Sequence, residues 1–301
     1  MPIKSLSRKI RTLSWKEVAV LFKQTFLDFL SEKSLFHGAA LSYYTIFALV
    51  PILYLSIVSF GKFIGQKTMV QIISKVLTEQ VGVKDVKGII EFLNEIDFEK
   101  SNPILQIVGI VVLLVTSTAM LASLKFSIND FFDIEKVHES KKKMILANLA
   151  EKGIHSLLLM VFGLIIIVTY FAQILIISMG EKLFSNAHEL YSLFIFVTQH
   201  FTPLFTNGLI FYFVFRFLSD GEIVSKLAIA GAMVTSVLLY LGQLLIKYYI
   251  THYFFAKDAG IAGTLLILLT WVYYTSQIIF FGAKFICVYA RISGNPIQVK
   301  S

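Results

Sequence analysis

The chain has 301 residues, of which 56% are hydrophobic and only 15% are charged, with a formal net charge of +8. Ordinary soluble domains have about 25% charged residues, so this composition excludes a soluble globular protein and favours a membrane protein. The basic balance suits a surface that faces anionic lipid headgroups. No nucleic-acid partner is therefore expected.

Residues 1–35 form a basic segment that precedes the first long apolar stretch and contains seven Lys and Arg residues. It has no short apolar core with a small-residue cleavage site, so it is not expected to be a signal peptide. Residues 15–30 place their apolar side chains near one helical face, with lysines between them. This pattern predicts an N-terminal amphipathic helix that lies in the membrane interface or packs on the membrane domain.

The membrane domain is expected at residues 36–290. A helix that crosses the hydrocarbon needs about 20 mainly apolar residues, and it must be helical because a lone strand would leave backbone groups unpaired. Six stretches qualify, and they lie at residues 36–60, 104–124, 154–178, 191–218, 227–250 and 261–289. The sequence therefore predicts an all-α, polytopic membrane protein with a bundle of six transmembrane helices.

The distribution of Lys and Arg predicts the orientation of the spans. Of the 27 Lys and Arg residues, 18 lie in the segments 1–35, 125–153, 216–226 and 284–301. The positive-inside rule counts basic residues near the ends of spans, so both termini, including the tail at 291–301, are expected in the cytoplasm. The loop at 62–103 is then extracytoplasmic, and its helical spacing of apolar residues predicts two short amphipathic helices.

Motifs of catalysis are missing from the sequence. No two of the six histidines are four residues apart, so zinc-hydrolase ligand spacing is not found. The serine-hydrolase elbow and the phosphate-binding loop are also missing. The single cysteine, Cys287, cannot form an internal disulfide. We therefore expect no enzyme activity, no catalytic residue, no metal ligand and no cofactor.

Polar residues recur along predicted spans one and six. A helix that only anchors a protein in the membrane would need no polar residues. Polar groups that face lipid are costly, so these stripes are expected to face the interior or a wet cavity. Close helix packing is the alternative explanation for the small and hydroxyl residues, and snorkelling to the interface is the alternative for Lys284. The stripes consist of His37, Gly38, Leu41, Tyr44, Ala48 and Pro51 in span one, and of Gly263, Thr270, Gln277 and Lys284 in span six.

Pro203 lies inside predicted span four, next to several polar residues. A proline removes a backbone donor and usually kinks a helix, and neighbouring polar side chains can satisfy the freed carbonyl. The kink either shapes a cavity or is a simple bend.

Three stretches carry a resemblance to a known family. They are HGAALSYYTIFALVP at 37–51, LKFSINDFFDIEK at 124–136 and AGIAGTLLILLTWVYYTSQIIFFGAKF at 259–285. Together they resemble the YihY/BrkB family of six-span bacterial inner-membrane proteins, once assigned ribonuclease BN activity. The family features are matched at Ala39, Ala40, Tyr43, Tyr44, Pro51, Asn129, Trp271, Tyr273, Gly282 and Ala283.

Three positions depart from the family pattern. Phe132 stands where the family tends to have tryptophan, and Phe215-Arg216 replaces a Tyr-Arg that usually has a proline nearby. Lys284 stands where the family commonly has an acid, which reverses the charge at that position. The resemblance implies an inner-membrane location. A mechanism that needs a carboxylate at position 284 is not expected in this protein, because the residue there is lysine.

The polar residues near the cytoplasmic side predict a pocket that binds an anionic lipid headgroup. Arg216 and Lys284 are its cations, and they repel each other unless an anion joins them. That anion is a lipid phosphate or, alternatively, Asp28, Glu32, Asp130 or Asp133. The candidate ligand-binding residues are His37, Tyr43, Tyr44, Asn129, Arg216, Tyr273, Gln277 and Lys284, with Gly38, Pro51, Pro203, Gly263 and Gly282 in structural roles.

The sequence leaves two classes of function open. One is a transporter or lipid-handling protein that uses the polar pocket, with membrane lipids as partners. The other is a non-transporting envelope factor that acts through the 62–103 loop, with an envelope protein or a second copy of the chain as partner. Ribonuclease activity is disfavoured because the chain does not cluster the acids or metal ligands that RNA hydrolysis needs.

Overall fold

The structure is a computed structural model, and it describes nine segments of the chain. These are residues 14–31, 34–76, 103–134, 161–162, 164–165, 168–169, 172–184, 187–252 and 260–299.

Helices make up most of the described residues, as the all-α prediction requires. They are α1 (Trp15–Ser31), α2 (Ser34–Ile64), α3 (Gln66–Val76), α4 (Pro103–Phe131), α5 (His188–Phe213), α6 (Ser225–His252) and α7 (Gly260–Ile292), with further helical residues at 172–183. Two short strands, β1 (Gly221–Glu222) and β2 (Gln298–Val299), pair antiparallel.

Three helical segments in the described part of the chain are long and apolar enough to cross a bilayer. They are Glu189–Leu218, Ser225–Ile246 and Leu265–Ile292, and they coincide with predicted spans four, five and six. Helices α2 and α4, with 31 and 29 residues, cover predicted spans one and two. Much of predicted span three lies outside the described residues, so the count of six spans stays a prediction.

The chain divides into two compact units. Unit 1 comprises Met1–Glu32, Lys125–Tyr240 and Ile279–Ser301, and unit 2 comprises Lys33–Leu124 and Leu241–Ile278. Helices α4, α6 and α7 each contribute residues to both units.

Helix α1 belongs to unit 1 and begins at a capping box. The Ser14 amide donates to Glu17 Oε2 at 2.8 Å, and the Glu17 amide donates to Ser14 Oγ at 3.4 Å, which satisfies two amides that would otherwise lack partners. Leu21 is buried against Phe285 of α7, whereas Trp15 is 91% exposed. The helix therefore packs on unit 1 and also presents an apolar face outward.

The end of the chain folds back on the turn that follows α5. Gly294 has a φ of +71°, a left-handed conformation that glycine adopts without strain at the end of a helix. The Asn295 amide then donates to the Ala290 carbonyl at 2.9 Å. This turn brings β2 to β1, with Gly221 opposite Val299.

In unit 2, α2 continues into α3 through Gly65, whose φ of +87° is also left-handed. Helix α3 lies in the predicted extracytoplasmic loop and buries Val70 and Ile73 on one face. The second helix predicted in this loop falls on residues 77–102, which lie outside the described part of the chain.

Candidate functional site

Lys284 is buried in unit 1, where α7 places it beside the end of α4. The residue is 2% exposed, and its Nζ lies 3.2 Å from Asp133 Oδ1 and 3.4 Å from Oδ2. Asp133 follows α4 with a φ of 57°, a left-handed conformation that Asp and Asn tolerate better than most residues. Its side chain is 53% exposed, so the cation is inside and the anion is at the surface.

Two further residues of α7 donate to the same carboxylate. Arg291 Nη2 lies 3.3 Å from Asp133 Oδ2, and Cys287 Sγ lies 3.4 Å from that oxygen. Arg291 Nη1 also lies 3.3 Å from Asp28 Oδ2 of α1. Residues three and four apart share a helical face, which explains why Lys284, Cys287 and Arg291 converge. We call these five residues the Asp133 cluster.

Asn129 is buried on α4 and holds the turn between α5 and α6. Its Nδ2 donates to Asp220 Oδ2 at 2.8 Å, and its Oδ1 accepts from the Asp220 amide at 3.0 Å. Lys125 Nζ lies 2.8 Å from the other oxygen of Asp220. Asn129 therefore has a positioning role in this structure.

Arg216 lies in a π-helical turn, Val214–Leu218, that follows α5. Its Nη1 donates to the backbone carbonyl of Ile223. Short π-helical segments occur frequently at functional sites. Here the guanidinium braces the same turn that Asn129 holds, whereas Lys284 is bonded to Asp133.

Gln277 and Tyr273 lie where α7 meets α2 in unit 2. Gln277 Nε2 donates to the Ser34 carbonyl at 3.1 Å. A Cβ added at Gly38 would overlap Gln277 Nε2 and would lie 2.9 Å from Ser276 Oγ and 3.1 Å from the Tyr273 ring. The missing side chain at Gly38 thus lets α2 and α7 approach closely at this point.

The remaining candidates of span one lie toward the surface. Tyr43 and Tyr44 are exposed, with their rings edge to face at 5.7 Å, and His37 is half-buried. Helix α2 continues through Pro51, and α5 continues through Pro203. Neither proline ends its helix.

The candidate ligand residues divide between the two units. Unit 1 contains Asn129, Arg216 and Lys284, and unit 2 contains His37, Tyr43, Tyr44, Tyr273 and Gln277. Of the four acids proposed from sequence as an anion for Lys284, Asp133 is bonded to it and Asp28 is bonded to Arg291. Sequence reasoning missed Arg291 and Cys287. Cys287 lies three residues after Lys284, and Arg291 lies four residues after Cys287, so helical spacing was a usable signal that they share a face.

An apolar groove between α5 and α6 in unit 1 was also missed by sequence reasoning. Its volume is about 500 Å³, and its walls include Phe205, Gly208 and Tyr212 of α5 and Met233 of α6. The lining is almost entirely apolar, so it suits hydrocarbon. Among the residues that the structure describes, no group of three or more His, Cys, Asp or Glu could hold a metal ion.

A family model described as "Virulence factor BrkB" matches residues 25–299, which is most of the chain. The chain belongs to the BrkB family. This result confirms the family inferred from the three sequence stretches, and the match runs from α1 to β2. No curated protein and no solved structure matches the chain.

The Asp133 cluster and the turn held by Asn129 and Arg216 both lie within residues 25–299, the part of the chain that matches the BrkB family. Lys284 and Asp133 therefore belong to the part of the chain that matches the family model. In this chain the carboxylate comes from Asp133 and the cation from α7.

Proposed function

We propose that this BrkB-family protein crosses the bacterial inner membrane six times, with both termini in the cytoplasm, and that it transports or transfers an anionic lipid. Lys284 and Arg291 are the cations that bind the headgroup. The observation that carries the proposal is the buried ammonium of Lys284 under the half-exposed carboxylate of Asp133.

A buried ion pair is a costly way to join helices. Apolar residues of similar volume are often as stabilising as a buried pair or more so. Ionisable side chains within spans are rare and mark substrate pathways or relays. Lys284 lies inside the apolar segment Leu265–Ile292, which favours a functional role.

The geometry of the Asp133 cluster suits exchange of one anion for another. Lys284 Nζ, Arg291 Nη2 and Cys287 Sγ all point to the carboxylate of Asp133. A phosphate offers acceptor oxygens to the same donors, and guanidinium binds phosphate through paired hydrogen bonds. The side chain of Asp133 is 53% exposed, whereas that of Lys284 is 3% exposed, so Asp133 can swing away while the buried ammonium stays. In the proposal, Asp133 occupies the headgroup position when no lipid is bound.

The apolar groove supplies the second requirement of an amphiphilic substrate. It lies in the same unit as the Asp133 cluster, and its lining suits an acyl chain. The alternative, an envelope factor that acts through the 62–103 loop, stays a prediction because residues 77–102 lie outside the described part of the chain.

Lipid retention tests the proposal with two variants that should change it in opposite directions. Lys284→Glu removes the buried cation and should reduce the anionic phospholipid that co-purifies with the protein. Asp133→Asn removes the competing anion and should increase it. The measurement is lipid per mole of protein by mass spectrometry, after purification of each variant in the same mild detergent.

Lys226→Gln is the matched control, because it removes an exposed lysine of α6 outside the cluster. It should leave the lipid content unchanged. Equal anionic lipid in Lys284→Glu, Asp133→Asn and the control, with each protein monodisperse, would refute the headgroup site.

Cysteine labelling tests the proposed topology. In a Cys287→Ser background, a cysteine in place of the exposed Lys67 of α3 should react with an impermeant maleimide in intact spheroplasts. A cysteine in place of Lys226 should react only after permeabilisation, because the positive-inside rule puts it in the cytoplasm. The reverse pattern would overturn the orientation.

A further inference from the structure

Two buried polar atoms of α7 have no hydrogen-bond partner among the described residues. They are Trp271 Nε1 and Thr275 Oγ1, and both are inaccessible to solvent. Both residues belong to unit 2. An unpaired buried polar group costs about 1–3 kcal/mol, and in a native protein its causes are backbone strain, a redox or catalytic role, or a bound water or ion.

The unpaired hydroxyl of Thr275 is notable because other threonines in these helices bond to their own backbone. The hydroxyl groups of Thr45, Thr235 and Thr270 each donate to the carbonyl four residues earlier, at 2.7–2.8 Å. Thr275 makes no such bond. Its hydroxyl is therefore available to another group.

Helical geometry places Trp271 and Thr275 on one face of α7. Residues four apart are one turn apart, about 6 Å along the axis at 1.5 Å per residue. Ile267, Leu268 and Ile278, which lie near the same face, are all buried. Buried apolar residues therefore precede and follow the two polar residues along this face of α7.

The chemistry of the two groups limits what can bind them. An indole N–H only donates, so the occupant must supply an acceptor. Residues 260–283 carry no charged side chain, and an ion without a countercharge is expensive to bury. A neutral oxygen fits best, either a hydroxyl or a carbonyl.

We propose that Trp271 and Thr275 form a binding site for a neutral oxygen acceptor within unit 2. The indole N–H donates to that oxygen, and the threonine hydroxyl makes a second hydrogen bond to it. The oxygen belongs to a bound water or to a hydroxyl or carbonyl group of a ligand. This site is separate from the headgroup site proposed above, and neither depends on the other.

The test uses the small number of tryptophans. Trp15→Phe leaves Trp271 as the single tryptophan of the two in the chain. With ¹⁵N-labelled indole in lipid nanodiscs, the protein should give one Nε1–H cross-peak with the downfield proton shift of a hydrogen-bonded indole. Thr275→Val, which keeps the shape and removes the hydroxyl, should move this peak, whereas Thr275→Ser should restore it.

Thr270→Val is the matched control on the same helix, because the Thr270 hydroxyl donates to the Leu266 carbonyl. It should leave the peak in place. In deuterated protein, a nuclear Overhauser contact from the indole proton to water protons identifies water. A contact to aliphatic protons identifies a co-purified ligand. A proton shift typical of a free indole, unchanged in both Thr275 variants, would overturn the proposal.

Discussion

Replacing Gly282 with alanine is expected to destabilise unit 1 strongly, and replacing it with valine should leave little folded protein. A Cβ at this position would overlap Thr235 Oγ1 and would lie 3.2 Å from both Thr235 Cβ and Phe215 Cζ. Thr235 and Phe215 are both 0% exposed, so neither side chain has room to move. Overpacking of this kind costs about 1–3 kcal/mol, and occasionally more.

Gly208→Ala is the matched control within the same unit. The nearest side-chain atom to its added Cβ is Ser236 Oγ at 3.6 Å, which is an ordinary contact. Alanine in a helix interior is favoured over glycine by about 0.5–1 kcal/mol, so this variant should be as stable as the parent or more so. Thermal unfolding followed by size-exclusion chromatography in detergent measures the difference.

A second substitution checks the cause of the expected loss. Thr235→Ala removes the atom that the new Cβ would overlap, so the double variant Gly282→Ala/Thr235→Ala should recover part of the lost stability. Equal melting temperatures for Gly282→Ala and Gly208→Ala would show that the helices separate at no cost.

The segments long and apolar enough to cross a membrane could be predicted from the sequence, because the thickness of the hydrocarbon sets their length. The predicted spans 191–218, 227–250 and 261–289 match the apolar helices Glu189–Leu218, Ser225–Ile246 and Leu265–Ile292 within a few residues. Helix α1 was readable for a similar reason, since its apolar residues recur at helical spacing.

The hydrogen-bond and ion-pair partners within the candidate site could not be predicted from the sequence to the same degree. Asp133 and Lys284 are 151 residues apart in the chain, and the sequence left four acids as equal candidates for this contact. The choice depends on the left-handed turn at Asp133 after α4. Nothing in the sequence of residues 214–218 indicated the π-helical turn that directs Arg216 to the Ile223 carbonyl.

Substitutions at the two members of the Lys284–Asp133 pair should change the free energy of unfolding by different amounts. Asp133→Asn keeps a residue that tolerates the left-handed backbone, but it leaves the buried ammonium of Lys284 without its carboxylate. Removing one partner of a fully buried pair costs about 3–5 kcal/mol. Because the side chain of Asp133 is 53% exposed and solvent screens the pair, we expect a loss of about 1–3 kcal/mol.

Lys284→Met should be far less harmful. Methionine fills a similar volume without a buried charge, and replacing buried ions by apolar residues is often neutral or stabilising. Asp133 keeps Arg291 as a partner at 3.3 Å and keeps its access to solvent. The stability of Lys284→Met should therefore lie within about 1 kcal/mol of the parent, and Asp133→Asn/Lys284→Met should be more stable than Asp133→Asn alone.

Unfolding of the three variants in phosphatidylcholine nanodiscs provides the comparison, because this lipid supplies no net anion. A ligand that binds only the folded state raises its stability by mass action. Phosphatidylglycerol should therefore restore Asp133→Asn by supplying the missing phosphate, while leaving Lys284→Met unchanged. A larger loss in Lys284→Met than in Asp133→Asn would mean that the ammonium stabilises the fold by itself. The buried ammonium would then not depend on the Asp133 carboxylate. A phosphate would have no reason to replace that carboxylate, which would contradict the proposed exchange.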